Sequence, residues 1–127
     1  PDDEGIIIKE GHSFQWMGEE YIHFPDYGGT LWFHQGKTGL DAEWLIENKV
    51  LIDFRKGGER LKLAPNRPTR SLKYHYQAFD VPAWERERLP VVFVGRDLVF
   101  AAGIGMDCNR YATDAVAYIQ LSWVPDR

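Results

Sequence analysis

A hairpin signal in the last third of the chain most constrains its fold. The apolar runs "VVFV" at 91–94 and "LVFAAG" at 98–103 are separated only by "GRD" at 95–97. Glycine and aspartate are typical of tight turns, so this spacing predicts two adjacent antiparallel strands. The chain therefore needs a sheet, and "KVLIDF" at 49–54 and "AVAYIQLSWV" at 115–124 are further strand candidates.

The first half also reads as short strands. "GIII" at 5–8 and "LWFH" at 31–34 predict strands, and "SFQWMGEEYIHF" at 13–24 predicts a hairpin that turns near Gly18-Glu19. "RLKL" at 60–63 predicts another strand, in which alternation places the basic side chains of Arg60 and Lys62 on one face.

The middle of the chain changes to a helical pattern. "TRSLKYHYQAF" at 69–79 has Leu72, Tyr76 and Phe79 at helical spacing, and Thr69 or Ser71 is a candidate cap for its first turn. "DVPAWERERLP" at 80–90 predicts a second short helix, with Asp80 as its cap, Pro82 in its first turn and Pro90 as its stop.

These patterns together predict an α+β domain of mostly short strands with a small two-helix insertion at 70–89. We predict a strand-rich acidic region over 1–56, which leads into a C-terminal domain over 57–127. The 127 residues suit one compact domain or two very small lobes.

Charge is unevenly distributed along the sequence. Residues 1–54 hold three Lys/Arg and eleven Asp/Glu, whereas residues 55–90 hold nine basic and four acidic groups. Residues 91–127 are nearly balanced, with three basic and four acidic groups. A polyanion responds to the local field more than to the net charge of −4, so the pattern indicates a basic surface on an acidic body.

Composition argues against several other classes of protein. The single cysteine, Cys108, excludes an internal disulfide, and no apolar run approaches the roughly 20 residues that span a bilayer. Both features predict a cytoplasmic protein with no membrane partner. The first residues, "PDDEG", lack an initiator methionine and are typical of a fragment of a longer chain.

Motifs for metal binding and catalysis are missing. The four histidines show no metal-ligand spacing, and no sequence signature pairs Cys108 with a base. Glycine turns at 56–58 and 103–105 lack the pattern of a phosphate-binding loop. We therefore predict no metal site, no cofactor and no catalytic residue in this chain.

What remains is a set of basic residues interleaved with aromatic ones. Cations fix a phosphate backbone, and aromatic or guanidinium planes can stack on exposed bases, so nucleic-acid binding competes here with a merely charged surface. The basic residues are Arg55, Lys56, Arg60, Lys62, Arg67, Arg70, Lys73, Arg86 and Arg88, and the aromatic residues among them are Tyr74, His75, Tyr76 and Trp84.

Residues 57–107 contain an ordered series of motifs, in the stretch "GGERLKL … RSLKYHYQAFDVPAWERERLPVVFVGRDLVFAAGIGMD". A Gly-x-Arg precedes a Ser/Leu/Lys helix, a Pro-x-Trp-x-Arg segment and two strands. The residues that form these motifs are Gly58, Arg60, Ser71, Leu72, Lys73, Pro82, Trp84, Arg86 and Pro90. In this order they resemble the C-terminal domain of tRNA(Ile)-lysidine synthetase.

The resemblance implies a specific activity for the whole enzyme. Members use ATP, with Mg²⁺, to attach lysine to C2 of the wobble cytidine of a tRNA(Ile) with anticodon CAU, which converts its specificity from methionine to isoleucine. Catalysis belongs to a PP-loop domain with an SGGxDS motif, which this sequence lacks. The resemblance thus implies a non-catalytic portion of a cytoplasmic ligase.

The same resemblance implies a fold and a set of partners. The last domain of the family resembles a three-layer, β-sandwich-containing domain of the phenylalanyl-tRNA synthetase β subunit. Its implied role is to bind the tRNA, at the acceptor stem, beside the catalytic PP-loop domain of the same chain. Two alternatives stay open: a structural domain that holds the ligase as a homodimer, and a hydrolytic domain of the editing type.

Site residues follow partly from the family pattern and partly from charge. Arg60, Lys73 and Arg86 match the pattern and are the main candidates for tRNA contact. Four others rest on local charge alone: Lys62, Arg67, Arg70 and Arg88. The predicted structural anchors are Gly58, Pro82, Trp84 and Pro90. We expect Trp84 to pack in the core between the two short helices, and a base-stacking platform is the alternative for this residue.

Overall fold

The computed structural model of the protein describes residues 11–127, so the predicted strand "GIII" lies outside the described residues. Its strands are β1 His12–Phe14, β2 Tyr21–Phe24, β3 Gly29–Gly36, β4 Leu40–Asp41, β5 Val50–Phe54, β6 Arg60–Leu61, β7 Arg70–Ser71, β8 Pro90–Val94, β9 Asp97–Ala101, β10 Gly105–Met106 and β11 Tyr118–Pro125. The helices are α1 Ala42–Glu47, α2 Leu72–Ala78 and α3 Ala83–Arg86, with short 3-10 turns at Pro25–Tyr27 and Cys108–Arg110.

Antiparallel pairing organises these strands into three sheets. A five-stranded sheet has the order β1-β5-β8-β9-β10, a four-stranded sheet has the order β2-β3-β11-β4, and β6 pairs with β7 alone. Both larger sheets combine strands from either side of residue 56, since β5 pairs with β8 and β3 pairs with β11. The α+β class predicted from the sequence is confirmed.

The central hairpin forms where the sequence predicts it. Val94 pairs with Asp97, which leaves Gly95 and Arg96 as the two central turn residues between β8 and β9. Gly95 has a φ of 59°, a left-handed angle that such two-residue turns require and that glycine adopts without steric cost. The turn residues between β8 and β9 therefore determine that these two strands pair.

The hairpin predicted over residues 13–24 is wrong. β1 pairs with β5 in one sheet, whereas β2 pairs with β3 in the other. Between them, Trp16 is buried, stacks 5.2 Å from the Phe33 ring and donates from its indole N–H to the Glu19 carbonyl at 2.9 Å. Burial of this large ring between the strands carries the chain from one sheet to the other.

One hydrophobic cluster combines the inner faces of both larger sheets. Alternating residues Leu31 and Phe33 of β3 point into it, as do Val50 and Ile52 of β5, and all four are buried. Burying a Val, Leu, Ile or Phe side chain stabilises the fold by roughly 1.5–3 kcal/mol. The cluster therefore makes a rigid base for the helical insertion.

Helix α2 begins as the sequence predicts. The side chain of Ser71 accepts a hydrogen bond from the Tyr74 backbone N–H at 3.1 Å, which selects Ser71 as the cap. Leu72 and Tyr76 are buried, but Phe79 is 44% exposed at the C-cap and does not continue the apolar stripe. The chain leaves the helix at Asp80, whose φ is 58°.

Helix α3 differs from its prediction in two respects. Pro82 is the N-cap residue, with no side-chain capping bond, so Asp80 does not cap this helix. Trp84 is 64% exposed, and its assignment as a core anchor is therefore wrong. A four-residue helix buries little surface, and none of its residues is buried, so the tryptophan faces outward.

Candidate nucleic-acid interface

The β6–β7 ribbon and the start of α2 carry the first group of basic side chains. Arg60 pairs with Ser71 and Leu61 with Arg70 across the ribbon. Leu61 is fully buried and anchors the ribbon, whereas Arg60 and Arg70 are exposed. We name five residues the basic ribbon surface: Arg60, Lys62, Arg67, Arg70 and Lys73.

Arg60 is held in place by its own side chain. Its Nη2 atom donates to the Thr69 carbonyl at 3.0 Å, which links β6 to the end of the loop that leads into β7. A guanidinium carries five N–H donors in a planar fork. The remaining donors of Arg60 are therefore available at the surface, and the side chain loses less conformational entropy when it binds an anion.

Arg70 and Lys73 lie at the start of α2 and are both exposed. The Arg70 guanidinium lies 4.7 Å from the centroid of the Tyr74 ring, at a distance where a cation is attracted to the ring face. The Lys73 ammonium has no hydrogen-bond or ion-pair partner among residues 11–127. Both charges are thus open to an external anion.

The other two members lie on the loop between β6 and β7. Lys62 is half-buried. Its backbone N–H donates to the Asp107 carboxylate at 3.4 Å, and its carbonyl accepts from the Cys108 N–H at 2.8 Å. Arg67 is exposed at a turn closed by its backbone N–H on the Ala64 carbonyl at 3.0 Å. Lys62 is therefore fixed through its backbone, and Arg67 through a local turn.

Carboxylates are missing from this part of the sequence. No Asp or Glu occurs between Arg60 and Phe79, so the five cations of the basic ribbon surface meet no acidic side chain from their own segment. His75, which the sequence places among the aromatic candidates, is buried and donates from Nε2 to the Leu61 carbonyl at 2.8 Å. His75 therefore holds β6 through this hydrogen bond and is not available to contact a ligand at the surface.

Arg86 belongs to a second basic group. Its Nε atom donates to the Val81 carbonyl at 2.8 Å, and it lines a pocket of about 290 Å³ with Arg55 and Lys56. We name this the basic pocket. Phe54 pairs with Pro90 in the five-stranded sheet, which brings the residues after β5 beside those before β8.

Several backbone contacts shape the turn beside the basic pocket. The Glu59 carboxylate accepts from the N–H groups of Lys56 at 2.6 Å and Gly57 at 2.9 Å. Gly58 has a φ of 87°, a left-handed angle that disfavours other residues. Lys56 also lies 3.6 Å from the Asp53 carboxylate, an ion pair with a largely exposed lysine.

Arg88 faces a different cavity from Arg86. Its guanidinium lies 5.8 Å from the centroid of the Trp84 ring, and both line a cleft of about 530 Å³. We name this the aromatic cleft, after Tyr27, Trp84 and Trp123 in its walls. Its acidic lining comprises Asp26, Glu85, Glu87 and Asp126.

Two tyrosines near these cavities have raised pKa values. Burial raises the pKa of Tyr76 to about 12, and its hydroxyl donates to the Ala102 carbonyl at 3.2 Å. Burial, with a smaller contribution from the Asp53 and Asp26 carboxylates, also raises the pKa of Tyr27, whose hydroxyl donates to the Ile52 carbonyl at 3.2 Å. Both hydroxyls stay protonated near neutral pH and tie surface elements to the sheets.

The structure thus places the predicted site residues in three regions: the basic ribbon surface, the basic pocket and the aromatic cleft. The ribbon holds five of them, whereas Arg86 and Arg88 lie on α3 and its C-terminal end and line separate cavities. The sequence did not predict that Arg55 and Lys56 line one pocket with Arg86, because their proximity depends on the pairing of β5 with β8. The sequence also did not predict the exposure of Trp84, for which its position directly before the charged residues 85–88 was the available signal.

Metal ligands do not cluster within residues 11–127: no group of three or more His, Cys, Asp or Glu side chains there could hold an ion. Over the same range, no helix is long and apolar enough to cross a membrane.

Comparison with a solved structure identifies the fold. A solved structure titled "Crystal structure of TILS C-terminal domain" superposes with a TM-score of 0.66 at 19% sequence identity, covering 93% of this chain and 99% of that one. The protein therefore has the α+β fold of that domain. A family model described as "TilS substrate C-terminal domain" matches residues 50–123, and the chain belongs to this family, as its sequence predicted.

Three relatives of this chain share the name tRNA(Ile)-lysidine synthase. The tRNA(Ile)-lysidine synthases of Ralstonia nicotianae and Nitrosomonas europaea are 39% and 35% identical to it, over 78% and 88% of this chain. That of Azoarcus sp. is 37% identical over 98% of this chain. The alignments span only 21%, 25% and 26% of the relatives' own lengths.

Proposed function

We propose that this domain binds tRNA(Ile) for a tRNA(Ile)-lysidine synthetase and holds it while another domain carries out catalysis. The observation that carries the proposal is the basic ribbon surface, where five Lys/Arg side chains lie on a stretch without carboxylates. A polyanion is the ligand that such a surface favours, and the relatives' name supplies a tRNA as the substrate.

The geometry suits a double-stranded part of the RNA, and we propose the acceptor stem. Duplex RNA is recognised mainly through phosphates and 2′-hydroxyls, because its deep major groove is closed to side chains. A short ribbon and the first turn of α2 present cations on rigid backbone, which limits the entropy lost on binding. The basic ribbon surface does not need to make base-specific contacts.

Catalysis is assigned to the rest of the proposed parent enzyme. There ATP, with Mg²⁺, would adenylate the wobble cytidine with release of pyrophosphate, and the lysine amine would then displace AMP. The domain described here supplies binding energy remote from the reacting atoms, which lowers the barrier by holding the anticodon in place. The PP-loop domain of the same protein is the partner that this division of labour requires.

Direct binding of tRNA tests the proposal. Fluorescence anisotropy of labelled tRNA(Ile) should show binding by this chain, and Arg70→Ala with Lys73→Ala should weaken it roughly 5- to 150-fold, if each side chain makes a charge-assisted contact. The control is Lys37→Ala with Lys49→Ala, which removes two exposed lysines from the first half of the chain.

Three outcomes would count against this function. Equal losses in both double variants would mean that net charge alone binds RNA. No tRNA binding, together with a concentration-dependent elution volume in gel filtration, would favour the alternative of a dimerisation domain. Release of amino acid from a misacylated tRNA would instead favour the hydrolytic alternative.

A further inference from the structure

We propose that the aromatic cleft binds one unpaired RNA base, whose flanking phosphate lies in the basic pocket. The proposal rests on the proposed function, since it takes RNA as the ligand, but it concerns a different surface from the basic ribbon. Trp84 is its main evidence: a tryptophan that is 64% exposed on a four-residue helix has no role in the core.

The dimensions of the cleft suit a small planar group. Its volume of about 530 Å³ lies within the range of roughly 300–1,000 Å³ that is usual for small-ligand sites. Trp84 offers an open ring beside Arg88, and Trp123 contributes a second indole from β11. Aromatic and guanidinium planes together are the surfaces on which unstacked bases lie in single-stranded RNA complexes.

The acidic lining determines which part of a nucleotide the cleft can hold. Four carboxylates against one guanidinium disfavour a phosphate inside the cleft. They favour a neutral group that donates hydrogen bonds, and a carboxylate accepts well from the exocyclic amine of cytosine. Asp126 already bonds to His23 at 3.0 Å, whereas Glu85 and Glu87 have no ion-pair partner among residues 11–127.

The phosphate has a place immediately beside the cleft. The basic pocket and the aromatic cleft share Phe54 and Glu87 in their linings, so the two are contiguous. Arg55, Lys56 and Arg86 concentrate three cations in that pocket, and Phe54 and Glu87 mark the boundary between the cationic and the acidic lining. One nucleotide, with its anionic and neutral halves, matches this division.

A basic peptide is the competing occupant, since carboxylates and aromatic rings also bind ammonium groups. Two features disfavour it. The three cations of the basic pocket lie within the same surface region and repel a second basic chain, because charges interact over about 10 Å at 0.1 M salt. The Arg88 guanidinium, 5.8 Å from the centroid of the Trp84 ring, also repels an incoming ammonium group.

A comparison of three RNAs and one peptide tests the proposal on the 127-residue chain. The probes are a blunt RNA duplex, the same duplex with a four-nucleotide 3′ overhang containing cytidine, the overhang sequence alone, and hexalysine. The overhang duplex should bind roughly 5- to 150-fold tighter than the blunt one, the range expected for stacking of one base. Trp84→Ala should erase this difference and leave the affinity for the blunt duplex unchanged.

Matched variants separate stacking from loss of structure. Trp84→Phe keeps a ring and should retain most of the overhang effect, whereas Tyr21→Ala removes another exposed ring, 55% exposed on β2, and should retain all of it. Lys56→Ala, with its exposed side chain, should weaken the overhang duplex and not the blunt duplex.

The outcomes distinguish this proposal from the proposed function. If Trp84→Ala leaves the overhang effect intact, or weakens hexalysine binding and not RNA binding, the cleft does not hold a base. If the overhang sequence binds alone in a Trp84-dependent manner and the blunt duplex does not bind, the cleft proposal survives and the ribbon proposal fails.

Discussion

The guanidinium of Arg70 lies 4.7 Å from the centroid of the Tyr74 ring, on the surface where β7 passes into α2. The ring is 47% exposed, so the contact orders the arginine without burying it. An exposed cation–π contact contributes roughly 0.5–1 kcal/mol, enough to favour one rotamer of a flexible side chain. Arg70 is therefore partly ordered in the unbound protein.

This contact predicts a difference between two changes at Tyr74. Tyr74→Phe keeps the ring and should leave the affinity for tRNA unchanged, whereas Tyr74→Ala should lower it roughly 2- to 5-fold through the loss of about 0.5–1 kcal/mol of ordering. Anisotropy with labelled tRNA(Ile) measures both. Equal losses in the two variants would indicate that the Tyr74 hydroxyl contacts RNA directly.

The capping bond at Ser71 predicts a loss of stability. Ser71→Ala removes the acceptor of the Tyr74 N–H and should lower the free energy of unfolding by about 0.5–2 kcal/mol. Thr69→Ala is the matched control, because the Thr69 side chain does not cap α2 and only its carbonyl holds Arg60. Urea titrations of both variants measure the difference, and similar losses would mean that α2 is capped by another group.

Tyr76 predicts a loss of stability at high pH. Its pKa in the folded state is raised to about 12 from 10.0, because burial disfavours the phenolate. The sign follows from linkage: the contribution is fully present below pH 10 and is lost as the pH rises through about 12. Urea midpoints should therefore fall above pH 10 in the native chain.

Tyr76→Phe isolates this effect. The variant should lose roughly 0.5–1.5 kcal/mol at neutral pH, since the hydrogen bond to the Ala102 carbonyl is gone, and its midpoint should fall less above pH 10. Tyr27 also has a raised pKa, so part of the decline should remain. An identical pH profile in the variant and the native chain would show that Tyr76 does not titrate with unfolding.

Sequence patterns predicted the features that depend on neighbouring residues. Gly95 and Arg96 between two apolar runs defined the β8–β9 hairpin, and the serine before an apolar stripe defined the start of α2. The same local reading failed at residues 13–24, because the burial of Trp16 against Phe33 depends on a sheet that the sequence does not display.

The candidate site was predictable to a similar extent. The basic ribbon surface follows from a run of cations without acids, which a sequence shows directly. The basic pocket cannot be predicted from such a run, since Arg55 and Lys56 lie near Arg86 only because Phe54 pairs with Pro90. Trp84 shows the limit most clearly: two flanking prolines define a short turn, but they do not determine which side of it packs inward.

Salt dependence of tRNA binding tests the central claim most directly. If Arg70 and Lys73 each neutralise a phosphate, the slope of log Kobs against log salt concentration should fall in magnitude by about 2 in the double alanine variant, or roughly 1 for each contact. The Lys37→Ala/Lys49→Ala control should keep the native slope. An unchanged slope in the Arg70→Ala/Lys73→Ala variant would contradict the assignment of the basic ribbon surface as the tRNA contact.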